Sequence, residues 1–145
     1  METITTNLAL LRTFSFEGKE QEVSFVETMH VADGVDCDVY TFPGDKSKDL
    51  GIIKIKPGKK TPLQKVLKGD RTIEAYVSGR GKLIVTKPDG EKVPYEVGGD
   101  SSKPLSVTIN IGELMQWQAA QDSELVASEI CFPPYVPGRY EDIPE

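Results

Sequence analysis

Few side chains in this sequence are of a type that could carry chemistry. His30 is the only histidine, and the two cysteines, Cys37 and Cys131, do not form a Cys-x-x-Cys spacing. Because a transition-metal site gathers several histidine, cysteine or carboxylate ligands, we predict no metal site and no cofactor. We expect His30 at the surface or at a strand edge, and two buried or half-buried thiols without a disulfide between them.

Glu74 is the residue whose type and place best suit acid–base chemistry. It falls in the run 72–77, in which Thr72, Glu74 and Tyr76 share one face of a predicted strand. An inward carboxylate is costly unless it is hydrogen bonded or reaches water, and burial would raise its pKa. Two roles stay open: an acid–base group or ligand anchor, or a structural residue that lies at a solvated rim or pairs with a lysine.

A second group of candidates is built around Met115 and Trp117. These two residues alternate in sequence and could both face the interior, while Gln64, Gln116 and Gln118 supply neutral donors and acceptors. A wall of this kind suits a small organic ligand, because such sites combine apolar surface with a few oriented polar groups. The alternative is that Met115 and Trp117 simply fill a closed core.

The elements that must position these side chains are short and separated by turn formers. Runs of Val, Ile, Thr and Tyr stand among 13 Gly and 10 Pro, which predicts an all-β chain. Residues 53–56 and 105–111 alternate apolar and polar side chains, as strands with one buried face do. Residues 87–92, with Pro-Asp-Gly at their centre, predict a hairpin that leads into 93–97, where Pro94 indicates an edge position or a strand start.

Length and hydropathy favour one domain in the cytoplasm. The chain has 145 residues, enough for one domain with a substantial core. No apolar run approaches the roughly 18 residues that a membrane span needs. The N-terminus lacks the basic and apolar regions of a signal peptide. We therefore expect a cytoplasmic protein that does not bind membranes.

Charge is distributed unevenly along the chain. Residues 54–82 hold nine Lys or Arg and two acidic residues, a net charge of +7, whereas the whole chain carries −6, so the remainder carries −13. This asymmetry could serve an anionic ligand or a contact between subunits, or it could reflect lysines on a solvated strand face that protect the sheet from mispairing. Nucleic acid is not an expected partner, because the chain is acidic and the basic stretch lacks interleaved aromatic residues.

The stretch that follows residue 51 resembles the first motif of the cupin superfamily. In small cupins a strand ends in Pro-Gly, a segment with two His ligands follows, and a glycine-bearing turn comes later. Here Pro57-Gly58 ends the strand and residues 76–83, YVSGRGKL, stand at the turn. Gln64 and Val66 occupy the two His positions. The Pro-Gly pair and the glycine-bearing turn therefore match the family, while the metal ligands are missing.

The family's Glu ligand can be placed in two ways. Counting back from Gly79 puts Thr72 at that position, and counting back from Gly81 puts Glu74 there. Both residues lie on the same face of the predicted strand, so Glu74 is expected to point inward under either count.

A later stretch resembles the second cupin motif. The run 129–135, EICFPPY, sets the alignment, in which Gly112 matches the motif's Gly. Met115 then stands where the family has its His ligand, and Ala119 where it has Asn. The resemblance covers about residues 50–135 and again lacks the metal ligand.

The resemblance implies a single-domain, all-β cupin-type double-stranded β-helix, a jelly roll barrel, and a homodimer as in many cupins. Residues 1–22 would form an N-terminal arm and strands, 50–135 the barrel core and 136–145 a tail packed across the barrel or a neighbouring subunit. Three functions stay open: a metal-free protein that binds a small organic ligand, carbohydrate-like or anionic; a metal-independent sugar isomerase or epimerase with Glu74 as base; and a homodimerisation module with a filled barrel. The expected ligand-binding residues are Gln64, Thr72, Glu74, Tyr76, Met115, Gln116 and Trp117.

Overall fold

The computed structural model describes residues 10–67, 69–99, 104–135 and 138–145. Expectations on the remaining positions, including the first nine residues of the N-terminal arm and two residues of the tail, lie outside the described residues. The described residues contain no helix long and apolar enough to cross a membrane.

The secondary structure of the described residues consists of short β-strands. In chain order these are β1 (Thr13–Phe16), β2 (Lys19–Glu22), β3 (Ser24–Ala32), β4 (Val35–Thr41), β5 (Asp49–Ile55), β6 (Gln64–Val66), β7 (Arg71–Gly79), β8 (Gly81–Thr86), β9 (Lys92–Val97), β10 (Ser106–Asn110), β11 (Leu114–Ala119), β12 (Leu125–Phe132) and β13 (Tyr140–Asp142).

The strands pair into one hairpin and two larger sheets. β1 and β2 form the hairpin, a six-stranded sheet has the order β10-β7-β12-β5-β4-β3, and a five-stranded sheet has the order β13-β6-β11-β8-β9. The ladders are antiparallel. β12 lies between β5 and β7, although it comes more than 40 residues after either of them in sequence. The predicted all-β fold of packed antiparallel sheets is confirmed.

Two apolar clusters hold the sheets in place. The larger one lies between the two sheets and joins residues of both, because alternate side chains of each strand point to the same face. A smaller cluster packs the N-terminal segment on the outer face of the six-stranded sheet. The barrel core comprises Val35, Ile53, Ile55, Val66, Leu83, Val85, Val97, Ile109, Met115, Trp117, Leu125 and Ala127.

Several strand predictions hold and others needed correction. The hairpin between β8 and β9 is present, and β9, which contains Pro94, is an edge strand. The long Lys-rich connection before Arg71 contains β6, and the tail contains β13, which pairs with β6. β6 and β13 have three residues each, which is too few to show a periodic pattern in the sequence. Each is defined as a strand by its pairing. The tail therefore packs across the barrel of its own chain.

The basic stretch 54–82 is largely neutralised within the chain. Among the residues of this stretch that the structure describes, five cations lie within 4 Å of a carboxylate, and four of those five carboxylates lie outside the stretch. The charge asymmetry of the sequence is therefore used, at least in part, for contacts between distant segments of one chain. The pairs are Lys54–Asp38, Lys59–Asp33, Lys60–Glu145, Arg71–Asp70 and Arg80–Asp122.

Candidate ligand site

Two glutamates lie opposite each other on the inner face of the six-stranded sheet. Glu74 on β7 and Glu129 on β12 are Cα partners in the antiparallel ladder. Directly opposite residues project from the same sheet face, with their Cβ atoms about 5 Å apart. Glu74 is 0% exposed, whereas Glu129 is half-buried. We call these two side chains the carboxyl pair.

Trp117 anchors one oxygen of Glu74 and leaves the other free. The indole Nε1 of Trp117, which reaches across from the five-stranded sheet, donates to Glu74 Oε1 at 2.6 Å. Glu74 Oε2 is buried and has no hydrogen-bond partner. A buried polar atom without a partner costs roughly 1 to 3 kcal/mol, so this oxygen is a feature that needs an explanation.

The surroundings of Glu74 favour its neutral form. Burial raises the pKa of Glu74 well above its usual value, and the charge of Glu129 raises this pKa further. The hydrogen bond from Trp117 opposes this shift without cancelling it. A neutral Glu74 can donate from Oε2 to Glu129, which gives the unpartnered oxygen an acceptor and lets the pair share one proton.

Cys131 and Tyr140 extend the polar surface from the carboxyl pair toward the tail. Cys131 Sγ lies 3.7 Å from Glu129 Oε1 and 3.1 Å from the hydroxyl of Tyr140. The Tyr140 hydroxyl also lies 3.1 Å from Thr72 Oγ1. Burial, together with the charge of Glu129, raises the pKa of Tyr140 and that of Cys131, so both side chains remain protonated at neutral pH.

Arg139 ties the tail to this end of the barrel. Its side chain is 1% exposed, and its guanidinium donates to the carbonyls of Pro133, Arg71 and Phe132 at 2.7 to 3.1 Å. A fourth contact, to Thr72 Oγ1, measures 3.3 Å. These bonds fix the segment that places Tyr140 beside the carboxyl pair.

Asp49 and Cys37 complete the surroundings of the pair. Asp49 is the Cα partner of Cys131, and burial raises its pKa, although the backbone N–H of Tyr135 donates to it at 2.9 Å. Burial, together with the charge of Glu129, also raises the pKa of Cys37. Gly51 lies between these groups, and a Cβ there would stand 2.9 Å from Cys37 Sγ. Glycine at this position therefore keeps room beside the pair.

Five of the seven predicted site residues lie in or against the barrel interior. Glu74 and Trp117 are in direct contact, and Thr72 belongs to the same polar end of the interior. Met115 packs in the barrel core. Tyr76 packs against that core and donates its hydroxyl hydrogen to the carbonyl of Gly79 at 2.8 Å.

The two glutamines lie elsewhere. Gln116 points away from its neighbours Met115 and Trp117, because successive strand residues face opposite sides, and it donates to Thr61 O at 2.8 Å. Gln64 lies at the rim, where its amide donates to Asp142 Oδ1 at 3.1 Å. Neither amide contacts the carboxyl pair in the described structure.

The positions that correspond to cupin metal ligands do not fit a metal ion. Val66 is 0% exposed and Met115 is 4% exposed, and both are part of the apolar core. No group of three His, Cys, Asp or Glu side chains suited to a metal occurs among the residues that the structure describes.

Sequence reasoning missed Glu129, Cys131 and Asp49 as members of this site. Glu129 falls within the largely apolar β12, on the same face as Ala127 and Cys131. Glu74 was identified from the sequence because it is a carboxylate at an inward position of a predicted strand, and the same criterion applies to Glu129. What the sequence could not show was the register that places Glu129 directly opposite Glu74.

A separate pocket of about 410 Å³ lies outside this interior site. It forms where β8 begins and where β9 and β11 end, and its lining includes Arg80, Lys82, Glu96, Gln118 and Gln121. Because Arg80 is paired with Asp122 and Lys82 is the cross-strand partner of Glu96, its charges are largely matched.

Comparisons with known proteins identify the fold. No protein-family model and no curated protein matches the sequence. Among solved structures, the capsular polysaccharide assembling protein CapF from Staphylococcus aureus has a TM-score of 0.67 at 18% identity, over 84% of this chain and 35% of CapF. The oxalate decarboxylase of Lactobacillus farciminis has a TM-score of 0.65 at 17% identity, over 81% of this chain and 33% of that enzyme.

A third structure matches over most of both chains. Rru_A2000 from Rhodospirillum rubrum, a cupin-2 domain, has a TM-score of 0.61 at 14% identity, over 91% of this chain and 80% of its own. This chain thus spans about a third of CapF and of the decarboxylase, and most of the cupin-2 domain. Identities this low establish the fold alone.

Proposed function

We propose that this cupin-fold protein binds a small, neutral, hydroxyl-bearing organic molecule at the carboxyl pair without a metal ion. One observation carries the proposal. Glu74 is fully buried, yet its Oε2 has no hydrogen-bond partner and stands beside the carboxylate of Glu129. A bound hydroxyl group would bridge Glu74 Oε2 and the carboxylate of Glu129, in place of the proton that the two carboxyl groups otherwise share.

The chemistry of the lining selects the class of ligand. Glu129 and Asp49 are hydrogen-bond acceptors when ionised, while a neutral Glu74 both donates and accepts. A hydroxyl group matches these partners because it also donates and accepts. An anionic ligand would meet the charges of Glu129 and Asp49 at close range, so of the two classes predicted from the sequence we favour the carbohydrate-like one.

Access to the pair is through Glu129. Glu129 is half-buried, whereas Glu74 and Trp117 are at most 2% exposed. A ligand therefore contacts Glu129 first and reaches Glu74 through it. Tyr140, whose hydroxyl lies within 3.1 Å of Cys131 and Thr72, borders the same space and offers a further hydroxyl.

The names of two fold neighbours support an oxygen-rich ligand. One is a capsular polysaccharide assembling protein and another is an oxalate decarboxylase. The acidic lining favours the first kind of ligand over the second.

A thermal-shift titration tests this proposal. The purified protein is screened with neutral monosaccharides and polyols, with oxalate, and with Mn²⁺ or Zn²⁺, each with and without EDTA. A ligand at about 100 times its Kd stabilises the native state by about 2.7 kcal/mol, so a neutral polyol should raise the Tm by several degrees with or without EDTA.

Two variants locate the binding site. Glu129→Gln keeps the shape of the side chain and should abolish the polyol-induced shift. Glu96→Gln changes the outer pocket and should leave the shift intact. A shift seen only with divalent metals, or a polyol shift that persists in Glu129→Gln, would refute the proposal.

A further inference from the structure

The outer pocket, which lies where β8 begins and where β9 and β11 end, has the volume of a small-molecule site. Its volume is about 410 Å³, and sites for small molecules measure roughly 300 to 1,000 Å³. In the described structure neither glutamate of the carboxyl pair lines it. A ligand held there would be independent of a ligand at the carboxyl pair.

Three polar side chains stand in one row across the sheet at this pocket. Lys82 on β8 is the Cα partner of Glu96 on β9 and of Gln118 on β11. Leu83 and Trp117, their neighbours in sequence, are buried in the barrel core, so the row lies on the outer face of the sheet. Neighbouring strands are about 4.8 Å apart, so one small molecule can contact an ammonium, a carboxylate and an amide at once.

The two charges of this row do not engage each other. Among the residues that the structure describes, no opposite charge lies within 4 Å of Lys82 or of Glu96. The ammonium and the carboxylate are therefore both available to a ligand. If the two side chains meet in solution, the pair is partly exposed to water and contributes little to stability, so a ligand separates them at small cost.

The amide of Gln118 is oriented by a chain of hydrogen bonds. Its Nε2 donates to Gln116 Oε1 at 3.0 Å, and Gln116 is 4% exposed. Gln116 Nε2 donates in turn to Thr61 O at 2.8 Å and to Glu145 Oε1 at 3.0 Å. These contacts leave Gln118 Oε1 as an acceptor on the strand next to Lys82. Gln116, which does not contact the carboxyl pair, thus holds a lining residue of the outer pocket in place.

We propose that the outer pocket binds a small zwitterion, namely a free α-amino acid with a short side chain. The carboxylate of the ligand accepts from Lys82, and its ammonium donates to Glu96 and to Gln118 Oε1. The match follows from the groups themselves, because an ammonium has only donors and an ionised carboxylate has only acceptors. Hydrogen bonds with a charged partner are stronger than neutral ones, so the two charged ends dominate the affinity.

The rest of the lining restricts the charge and the size of the ligand. Arg80 is paired with Asp122, so this ion pair adds no net charge to the pocket. Val97 and Ala119 offer short apolar side chains, which suit a small apolar group on the ligand. A carboxylic acid without an amine would meet the unpaired carboxylate, and an amine without a carboxylate would meet the unpaired ammonium. The pocket therefore favours a molecule that carries both charges.

A magnetic resonance titration of the isotope-labelled full chain tests the proposal with three matched probes. L-Alanine carries both charges, propionate lacks the ammonium, and ethylamine lacks the carboxylate. L-Alanine should shift the amide signals of Gly81 and Ala119, which line the pocket, and should saturate them by about 50 mM, as a millimolar Kd predicts. Propionate and ethylamine should each bind about tenfold more weakly or worse, because each lacks one contact between charged groups.

Two variants assign the two charges. Lys82→Gln should remove the preference for L-alanine over ethylamine, and Glu96→Gln should remove the preference for L-alanine over propionate. Lys92→Gln is the matched control, because Lys92 is an exposed lysine of β9 that does not line the pocket in the described structure. It should leave both preferences unchanged.

The test is independent of the proposed function. Glu129→Gln, which alters the carboxyl pair, should leave the binding of L-alanine intact, so either site can fail while the other holds. The proposal would be overturned by the absence of saturable shifts at the pocket or by equal affinities for the three probes. Preferences that survive in both Lys82→Gln and Glu96→Gln would overturn it as well.

Discussion

The two ends of the barrel interior are buried to the same degree but are built from different chemistry. At one end Val35, Ile55 and Leu125 form a row across the sheet, each at most 1% exposed. At the other end Thr72 and Glu74 are also 0% exposed, yet they bring hydroxyl and carboxyl groups inside. The apolar end gains from burial, whereas the polar end must find a hydrogen bond for every group that it removes from water.

This difference indicates which end stabilises the fold and which end is available to the ligand proposed above. An unpartnered Glu74 Oε2 lowers stability and contributes nothing to packing. A fold selected for stability alone could place an apolar residue there at no loss. Substitutions at the two ends should therefore change stability in opposite directions.

The largest expected effect is at the apolar end. Leu125→Ala removes a fully buried side chain from the barrel core and should lower the free energy of unfolding by about 2 to 5 kcal/mol. Urea denaturation followed by tryptophan fluorescence measures this change. Leu67→Ala is the control, because Leu67 is 40% exposed, and it should cost well under half as much. Equal losses in both variants would contradict a packed apolar end.

At the polar end we expect a substitution to increase the free energy of unfolding. Glu74→Gln keeps the shape of the side chain, still accepts from Trp117, and removes a buried acid whose pKa is raised by burial. At pH 7 it should raise the free energy of unfolding by roughly 1 to 3 kcal/mol, the usual cost of a buried polar group without its partner. The exposed Glu96→Gln should change it little. A loss of stability in Glu74→Gln would show that the carboxyl pair stabilises the native state.

The pH dependence of stability separates the two ends further. The folded protein holds the proton of Glu74 above the pH at which the unfolded chain releases it, near its ordinary value of 4.5. Stability from this group is therefore complete below about pH 4.5 and is lost as pH rises toward the raised pKa of the folded state. Denaturant midpoints between pH 5 and 8 should fall with pH more steeply in the wild type than in Glu74→Gln. Parallel profiles would show that Glu74 ionises normally.

The smallest effect on the free energy of unfolding is expected for a polar contact outside the barrel. Arg80 and Asp122 form an ion pair in which the side chains are 45% and 75% exposed. Water and salt screen such a pair, so Asp122→Asn should change the free energy of unfolding by less than about 1 kcal/mol. A larger loss, measured by the same urea titration, would mean that this end of the barrel depends on the ion pair.

Much of the fold could be predicted from the sequence, because the patterns that indicate its strands and turns are local. Alternation in residues 105–111 and the turn at Pro88-Asp89-Gly90 each predict an element without reference to the rest of the chain. β6 and β13 were not predicted, because a three-residue strand can be recognised only from the strand with which it pairs. β3 proved longer than its apolar residues suggest, because its exposed positions carry no alternation.

The site was accessible only in part. The inward direction of Glu74 and the shared face of Met115 and Trp117 follow from the period of two along a strand. The same period places Gln116 on the opposite face, so its exclusion from the site could have been deduced. Glu74 lies opposite Glu129 because two segments more than 50 residues apart pair with each other. Cys131 contacts Tyr140 because of the path that the tail takes. No local sequence pattern predicts either contact.

The position of β12 also sets the order in which this protein can be completed during synthesis. β5 and β7 flank β12 and do not pair with each other, so the six-stranded sheet is divided until residues 125–132 have left the ribosome. Nearly nine-tenths of the chain must therefore wait with open strand edges before the barrel can close. Folding should be slow for a chain of this size, because its decisive contacts are the most distant in sequence, and the nascent chain is most exposed to aggregation just before β12 emerges.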